Sequence, residues 1–546
     1  MIRAASLLAL ACLSGCGAPA PGDDLVVVAD GKEDNYFSPS AREYFVDGVV
    51  PIVLDAADLA LPAADRLKRA TALRSLKNVE VGWFLHVRLI DKSTDPAPHG
   101  DANAATYPGF HAIVRDGEYV TSELTALPDG KTFTYPLRLQ IAGANDLLDQ
   151  LPGTRDAQGK LHFALAMGKV PNADLARLEP DHEWFRDDAW DSGTFDPSAL
   201  TPDQLESLDL AIEPQPASED AYLDTNALLA DDGKLTIDVL YGWDYWNRYD
   251  ISNARSLYES LVAKGFASPA ESFEAYAGEQ GPLTKTVKMK GRDVPVEVRI
   301  FHGAGNGTAG LDPETIDGAR AMEQEVYGSL ARADVIAWNG HSGNYYGFAL
   351  SDWKVTGDVG SLEYPQLSAA KMPSDRYQIV VASGCDTFSI GQAFRDNVYK
   401  KGLKNLDVIT SNSFSSAGAN TTVNGLLGAL FTRVDGDGAF TPEPISAMLN
   451  AINRGGQSGS MFGLHGVDDD PVLHPFASLA KLGGACTTAD DCGGIGNDCV
   501  ATGDGDGAPH VCAVECTSDR ACPGGYKCRE LASAASRQVV TRACTR

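Results

Sequence analysis

From about Leu228 onward the chain alternates short, almost uninterrupted apolar runs with amphipathic stretches, and this alternation constrains the fold more than any other feature. The runs LTIDVLYG, VPVEVRIFHG, DVIAWNG, YQIVVASG and LDVITSN read as buried strands. Between and after them the spacing predicts helices over 253–264, 313–333, 389–400 and 421–431. Strands separated by helices imply a parallel sheet with crossover connections, so residues 228–475 are expected to form an α/β domain. In such sheets ligands and catalysis gather at the carboxyl ends of the strands. Two runs carry a reactive side chain there: His341 follows DVIAWNG, and Cys385 follows YQIVVASG.

The rest of the 546-residue chain has a different grammar. A short positive region at Arg3, an apolar run over 4–13 too short to span a bilayer, and the tetrapeptide Leu13-Ser14-Gly15-Cys16 read as a processing signal over 1–15. The tetrapeptide resembles a bacterial lipobox. That resemblance implies lipidation of Cys16, membrane attachment without a span, and, with Gly17 following, sorting to the outer membrane. An ordinary secretory peptide is the alternative. Residues 16–37 read as a flexible tether. Residues 38–215 read as a mostly β domain: after a helical stretch over 63–76, apolar residues alternate at Val81, Trp83, Leu85, Val87 and Leu89, again from Phe133 to Ile141, and from Leu161 to Met167. Asp116-Gly117 signals a hairpin, and 180–221 an irregular linker. Trp83, His86 and His111 have no motif spacing and read as core or surface residues.

Cysteine usage marks off a tail. Of 11 cysteines, Cys12 and Cys16 lie in the signal region and Cys385 stands apart; the other eight lie between 486 and 544. CTTADDC is echoed by CTSDRAC, so Cys486, Cys492, Cys499 and Cys512 repeat as Cys516, Cys522, Cys528 and Cys544. This density is that of a disulfide scaffold and requires an oxidising compartment. Zinc is a poor alternative, because no CxxC pair occurs and His510 is the tail's one histidine. Pairing within the module, 486–546, is left open by sequence. The net charge of -29 argues against a nucleic-acid partner, which needs a basic face, and favours a basic ligand or substrate.

The order strand, NGHSG, strand, ASGC resembles the caspase, gingipain, clostripain and legumain group of cysteine peptidases across about 228–475. That resemblance implies an open, mostly parallel α/β sheet with helices on both faces and a His-Cys dyad on neighbouring strand ends. His341 and Cys385 would be the pair, Cys385 attacking a peptide carbonyl and His341 managing its proton. A thiol of ordinary pKa about 8.5 is mostly protonated near neutrality, which is why the nucleophile needs an imidazole. The oxyanion would be held by the backbone amide of Cys385 and by that of Ser342 or Gly343. Ser342 stands where the group commonly has glycine directly after the histidine. His302-Gly303 is a rival strand end, one strand too early for that topology; His465 and His474 read as loop residues past the last strand. Asp352, Trp353, Asp386 and Ser411 are candidate substrate-pocket residues, within or beside the segments 344–353 and 411–420 that continue from strand ends. Asp386 could instead cap the next helix. RVDGDGAFTPEP carries Asp435 and Asp437 in partial calcium-loop order but lacks the acidic first position and the glutamate at twelve. GAGNGTAG, 303–310, lacks the lysine of a phosphate loop. The expectation is thus a lipid-anchored extracytoplasmic cysteine endopeptidase acting on peptides or proteins with no required cofactor. Its rival is an inactive surface protein that uses the same fold and the tail for binding.

Overall fold

The computed structural model describes residues 36–90, 113–114, 124–175, 196–244, 247–276, 280–302, 315–343, 347–357, 359–385, 387–412, 420–432, 439–453, 462–502, 508–533 and 536–546. A two-residue strand, β1 (Tyr36–Phe37), is followed by a long one, β2 (Ala41–Val53), and by helix α1 (Ala63–Ile90). Strands β3 (Thr132–Ala144), β4 (Leu161–Gly168) and β5 (Leu205–Pro214) complete an antiparallel layer in the order β3-β2-β5-β4, extended by shorter strands at its margins. Two expectations fail here. Val81 to Leu89 is helix, not strand: Ala70, Leu73, Lys77, Val81, Phe84 and Leu85 are buried at steps of three and four, the period of a helix. Every second residue from 81 is also apolar, and over so short a window the two periods are confused. The expected linker holds β5, an inner strand: Leu208, Leu210 and Ile212 alternate inward, and the strand pairs with β2 on one side and β4 on the other. The side chains of Trp83 and His86, His111, and the Asp116-Gly117 hairpin lie outside the described residues.

The α/β region begins with β6 (Leu235–Tyr241), helix α2 (Tyr249–Ala263), β7 (Leu283–Met289) and β8 (Arg292–His302). Helix α3 (Ile316–Arg332), β9 (Val335–Asn339), β10 (Gln378–Ser383), helix α4 (Phe388–Arg395) and β11 (Leu406–Ser411) follow. Helix α5 (Thr421–Leu427), helix α6 (Ile445–Asn453) and β12 (Phe462–His465) close it. The five apolar runs foreseen as strands are all strands. They lie parallel in the order β8-β6-β9-β10-β11. Their near-continuous apolar sequence is explained by a sheet buried on both faces, between the clusters around Ile237, Val239 and Val381 and around Leu240, Trp338 and Phe394. The sheet as a whole is mixed, for β7, β12 and β1 add antiparallel edges, giving eight strands in the order β1-β12-β11-β10-β9-β6-β8-β7.

Chain order and sheet order diverge between β6 and β9: the chain leaves β6 for β8 on one side and returns to β9 on the other. A crevice is expected outside the carboxyl ends of two strands related in this way.

The tail strands β13 (Asn497–Ala501), β14 (His510–Glu515), β15 (Lys527–Ser533) and β16 (Ser536–Thr545) close on themselves in the order β13-β14-β16-β15. Four disulfides staple them: Cys486–Cys499, Cys492–Cys512, Cys516–Cys528 and Cys522–Cys544. Both repeats therefore join first to third and second to fourth cysteine. All eight cysteines of the tail are thereby paired. Among the described residues no helix is long and apolar enough to cross a membrane.

Candidate functional site

Strands β6, β9 and β10 end in register. Asn339 pairs with Tyr241 on one side and with Ser383 on the other, and each of the three is followed by glycine. The three glycines are dictated by crowding. A Cβ on Gly242 would lie 2.7 Å from the Ala349 carbonyl oxygen, and one on Gly340 would lie 2.9 Å from the Gly242 Cα. One on Gly384 would meet Ser342 Oγ, with Trp338 Cζ3 at 2.8 Å and the Gly340 oxygen at 2.9 Å. Trp338 is the wedge beneath them, buried and stacked on Phe348 with ring centroids 4.3 Å apart. The absence of side chains lets three chain segments turn away from one edge almost in contact, and each carries its polar residue with it: Asp244, His341 and Cys385.

Hydrogen bonds bind those turns together. The Gly242 amide donates to the Asn339 carbonyl and the Gly340 amide to the Ser383 carbonyl, both at 3.0 Å. Ser342 Oγ donates to the carbonyl of Cys385 at 2.5 Å, so the residue after the histidine is tied to the cysteine itself. His341 and Cys385, placed on neighbouring strand ends by sequence, are thus on adjoining turns of one edge. Cys385 is partly exposed and lies outside the four disulfides.

The sequence analysis missed the third residue. His341 Nε2 lies 2.8 Å from Asp244 Oδ1. Asp244 is 2 % exposed, and its Oδ2 accepts from the backbone amides of Asn247 at 2.8 Å and Tyr249 at 3.1 Å. Burial pushes this carboxyl up, but the hydrogen bond from His341 and the two amides outweigh it and bring it down to about 2. Asp244 is therefore a carboxylate near neutrality, and it accepts a hydrogen bond from the Nε2–H of His341. With Nε2 engaged in this way, Nδ1 is the ring nitrogen that does not face the carboxylate. The signal was available: YGWD repeats the strand-glycine-polar ending of NGH and SGC, and only the carboxylate's reach of two residues past the glycine obscures it.

The other candidates divide. Ser411 ends β11, the strand beside β10; its amide donates to Thr387 Oγ1 at 2.8 Å, and that hydroxyl donates to the Ala382 carbonyl at 2.8 Å. It belongs to the packing beneath the Cys385 turn. Asn420, at the far end of the segment foreseen as a wall, accepts from Tyr241 Oη at 2.8 Å and from Asn339 Nδ2 at 3.4 Å, which holds both ends of that segment at the same sheet edge. Ser342 and Gly343 form a short strand paired with Gly347 and Phe348. Asp352 opens a helical turn, its carbonyl accepting from Val355 and Thr356, with Trp353 first in that turn. Asp386 lies outside the described residues; Thr387 holds the N-cap position of the helix after it, with no capping hydrogen bond from its side chain. Asp435, Asp437 and the 303–310 loop also lie outside the described residues.

The rival histidines are accounted for. His302 ends β8, which β6 and β9 separate from β10, and its ring stacks on Phe273 at 5.1 Å. His465 is a strand residue, not a loop residue: it ends β12, buried, with Nε2 2.9 Å from Thr410 Oγ1. The antiparallel return strand that carries it has only four residues and no alternation to mark it. His474 follows β12, buried, with Nδ1 accepting from the Phe476 amide at 3.1 Å. Comparison of the chain with protein-family models and with curated proteins finds no match.

Proposed function

We propose that the chain is a cysteine endopeptidase of caspase-like arrangement, with Cys385 as nucleophile, His341 as acid and base, and Asp244 as the residue that orients the imidazole. The observation that carries this reading is the 2.8 Å bond from His341 to a buried carboxylate on the turn beside the one that joins it to Cys385. A surface histidine needs no such orienter, whereas a base that must present one nitrogen does. In the forward step the Cys385 sulfur, its proton passed to His341 Nδ1, bonds to the scissile carbonyl carbon. The carbon–nitrogen bond then breaks as His341 returns that proton to the leaving amine, leaving a thioester. Water, deprotonated by His341, adds to the thioester, and the carboxylic acid leaves as the thiol is restored. The oxyanion would be held by the amide of Cys385 and by that of Ser342 or Gly343; the Ser342 hydroxyl, anchored on the Cys385 carbonyl, keeps these chain segments at one distance.

The substrate class follows from charge. A chain of net charge -29 attracts basic peptides and proteins over anionic ones. Export through the N-terminal signal, lipidation at Cys16 and attachment to an outer membrane fit a tail whose four disulfides require an oxidising compartment.

A thiol-directed peptidyl probe with a basic residue next to the reactive group tests the reading. The wild-type chain should label at Cys385, and His341→Ala should label at least about a hundredfold more slowly while keeping its thermal midpoint. Equal labelling rates in a folded His341→Ala variant would remove the dyad and leave the inactive binding scaffold as the better account.

A further inference from the structure

At the opposite, amino-terminal end of β11 three carboxylates meet. Asp407 is the second residue of that strand, and Asp469 and Asp470 come from the turn after β12. One oxygen from each lies within 4.8 Å of the other two. Asp407 is 0 % exposed and Asp470 4 % exposed. The Tyr377 hydroxyl sits between them, hydrogen-bonded to Asp407 Oδ2 and 3.2 Å from Asp470 Oδ1. Asp469 Oδ2 accepts from the Asn405 amide at 3.3 Å. The remaining oxygens of the buried pair, Asp407 Oδ1 and Asp470 Oδ2, are buried and receive no N–H or O–H donor of the protein, and the two carboxyl groups face each other closely enough to share a proton. No Lys, Arg or His among the described residues pairs with either. The neighbouring ammonium of Lys400 is directed to backbone carbonyls instead, those of Arg376 and Asn405.

Two buried carboxylates that face each other, their remaining oxygens without any other donor, are costly unless a proton or a cation shares them. The backbone holds them together nonetheless. Gly466, at φ 100°, lets the turn approach so closely that a Cβ there would strike the Leu406 carbonyl oxygen and lie 3.3 Å from Asp407 Oδ1.

We propose that Asp407, Asp469 and Asp470 bind a calcium ion. The donors are hard oxygens, and calcium–oxygen distances of about 2.3–2.6 Å place two ligands of one ion up to about 4.8 Å apart. The ion joins the start of a central strand to the segment leading into the tail, where the Thr517 amide donates to the Val472 carbonyl at 2.9 Å. It lies away from the carboxyl-end turns that carry His341 and Cys385, so its role is to hold the fold, and the inference does not depend on the proposed peptidase chemistry.

Thermal unfolding and isothermal titration of the full chain in chelator-treated buffer test the site, with calcium chloride and magnesium chloride as the added salts. Calcium should bind with measurable heat and raise the midpoint by several degrees; Asp470→Asn should abolish both effects and, without calcium, melt at or above the wild type because a repulsion is gone. Asp469 is exposed, so Asp469→Asn supplies the same comparison should the buried variant not fold, with calcium binding weakened at least tenfold. No heat and no midpoint shift with either cation would overturn the site. So would a calcium effect undiminished in both variants, which would place the ion elsewhere, and an effect of magnesium alone would overturn the calcium assignment.

Discussion

In the proposed mechanism Asp244 acts through His341, and its effects on stability and on labelling separate by pH. Its carboxyl titrates near 2 in the folded chain against 3.8 ordinarily, so the native state binds fewer protons than the unfolded chain between those values. The stabilisation, about 2 kcal/mol for a shift of this size, is fully present above about pH 5 and is lost as pH falls through the folded value. Asp244→Asn should therefore flatten the acid limb of stability measured by urea unfolding between pH 2 and 5. At neutral pH the same variant should slow probe labelling of Cys385 by about 10² to 10⁴, since an amide can present the wrong hydrogen-bonding face to Nε2. An acid limb as steep as wild type, with labelling unimpaired, would reduce the Asp244–His341 bond to a surface contact. Gly384 offers the complementary test. Gly384→Ala puts a methyl group against Ser342 Oγ, Trp338 and the Gly340 carbonyl, and overpacking of this kind costs about 1–3 kcal/mol. Chemical denaturation should register that loss, together with slower labelling, because the turn that carries Cys385 is displaced; a variant as stable as wild type would mean the three turns are not held in contact.

The strands of the parallel sheet and the strand end that carries each reactive residue were legible because burial on both faces demands unbroken apolar runs, and such runs announce themselves locally. The five strands, and the four helices between and after them to within a few residues at most ends, needed nothing more. Helix α1 was half misread because its inward residues, Val81, Phe84 and Leu85, are interleaved with other apolar side chains, which blurs three-and-four spacing into alternation. Strand β5 is hard to see in the sequence because its outward positions Asp209 and Glu213, together with Glu206, which faces Lys77, make the stretch acidic and mask the alternation. The repeat of cysteines indicated two like units, but their pairing depended on which strands of the closed tail bring sulfurs together. Cys499 and Cys512, for instance, are cross-strand neighbours yet bond to other partners.

Across the molecule, the segment next to the N-terminal region is built into the α/β sheet. Tyr36, in β1, is 1 % exposed; its ring meets Phe388 edge-on at 5.5 Å and His465 at 4.7 Å. Phe388 opens the helix that follows Cys385, so the strand at one margin of the sheet braces the helix behind the candidate nucleophile. Ser38 Oγ extends the seam, donating to the Phe462 carbonyl at 2.9 Å. Tyr36→Ala removes a large, fully packed ring and should cost about 3 kcal/mol or more, lowering the denaturant midpoint of the α/β region. A midpoint unchanged within error would show that β1 is dispensable to that sheet. In the sequence this strand is indistinguishable from the end of the tether, because two strand residues are too few to show any period.

Local pattern was enough for the alternating strands and helices, the disulfide-rich character of the tail, and the placing of His341 and Cys385 at strand ends, since each of these follows from burial or composition within a few consecutive residues. Which strands are neighbours was another matter. The order β8-β6-β9-β10-β11 puts Asp244 beside His341 although 97 positions of chain separate them, and it brings Asp407 against Asp470 at the other end of the sheet. Contacts of that range are set by packing and sheet order, which no window of sequence contains. The same holds for Ser342, which stands out in NGHSG as a departure from glycine and in the folded chain as the hydroxyl that ties the histidine turn to the Cys385 carbonyl.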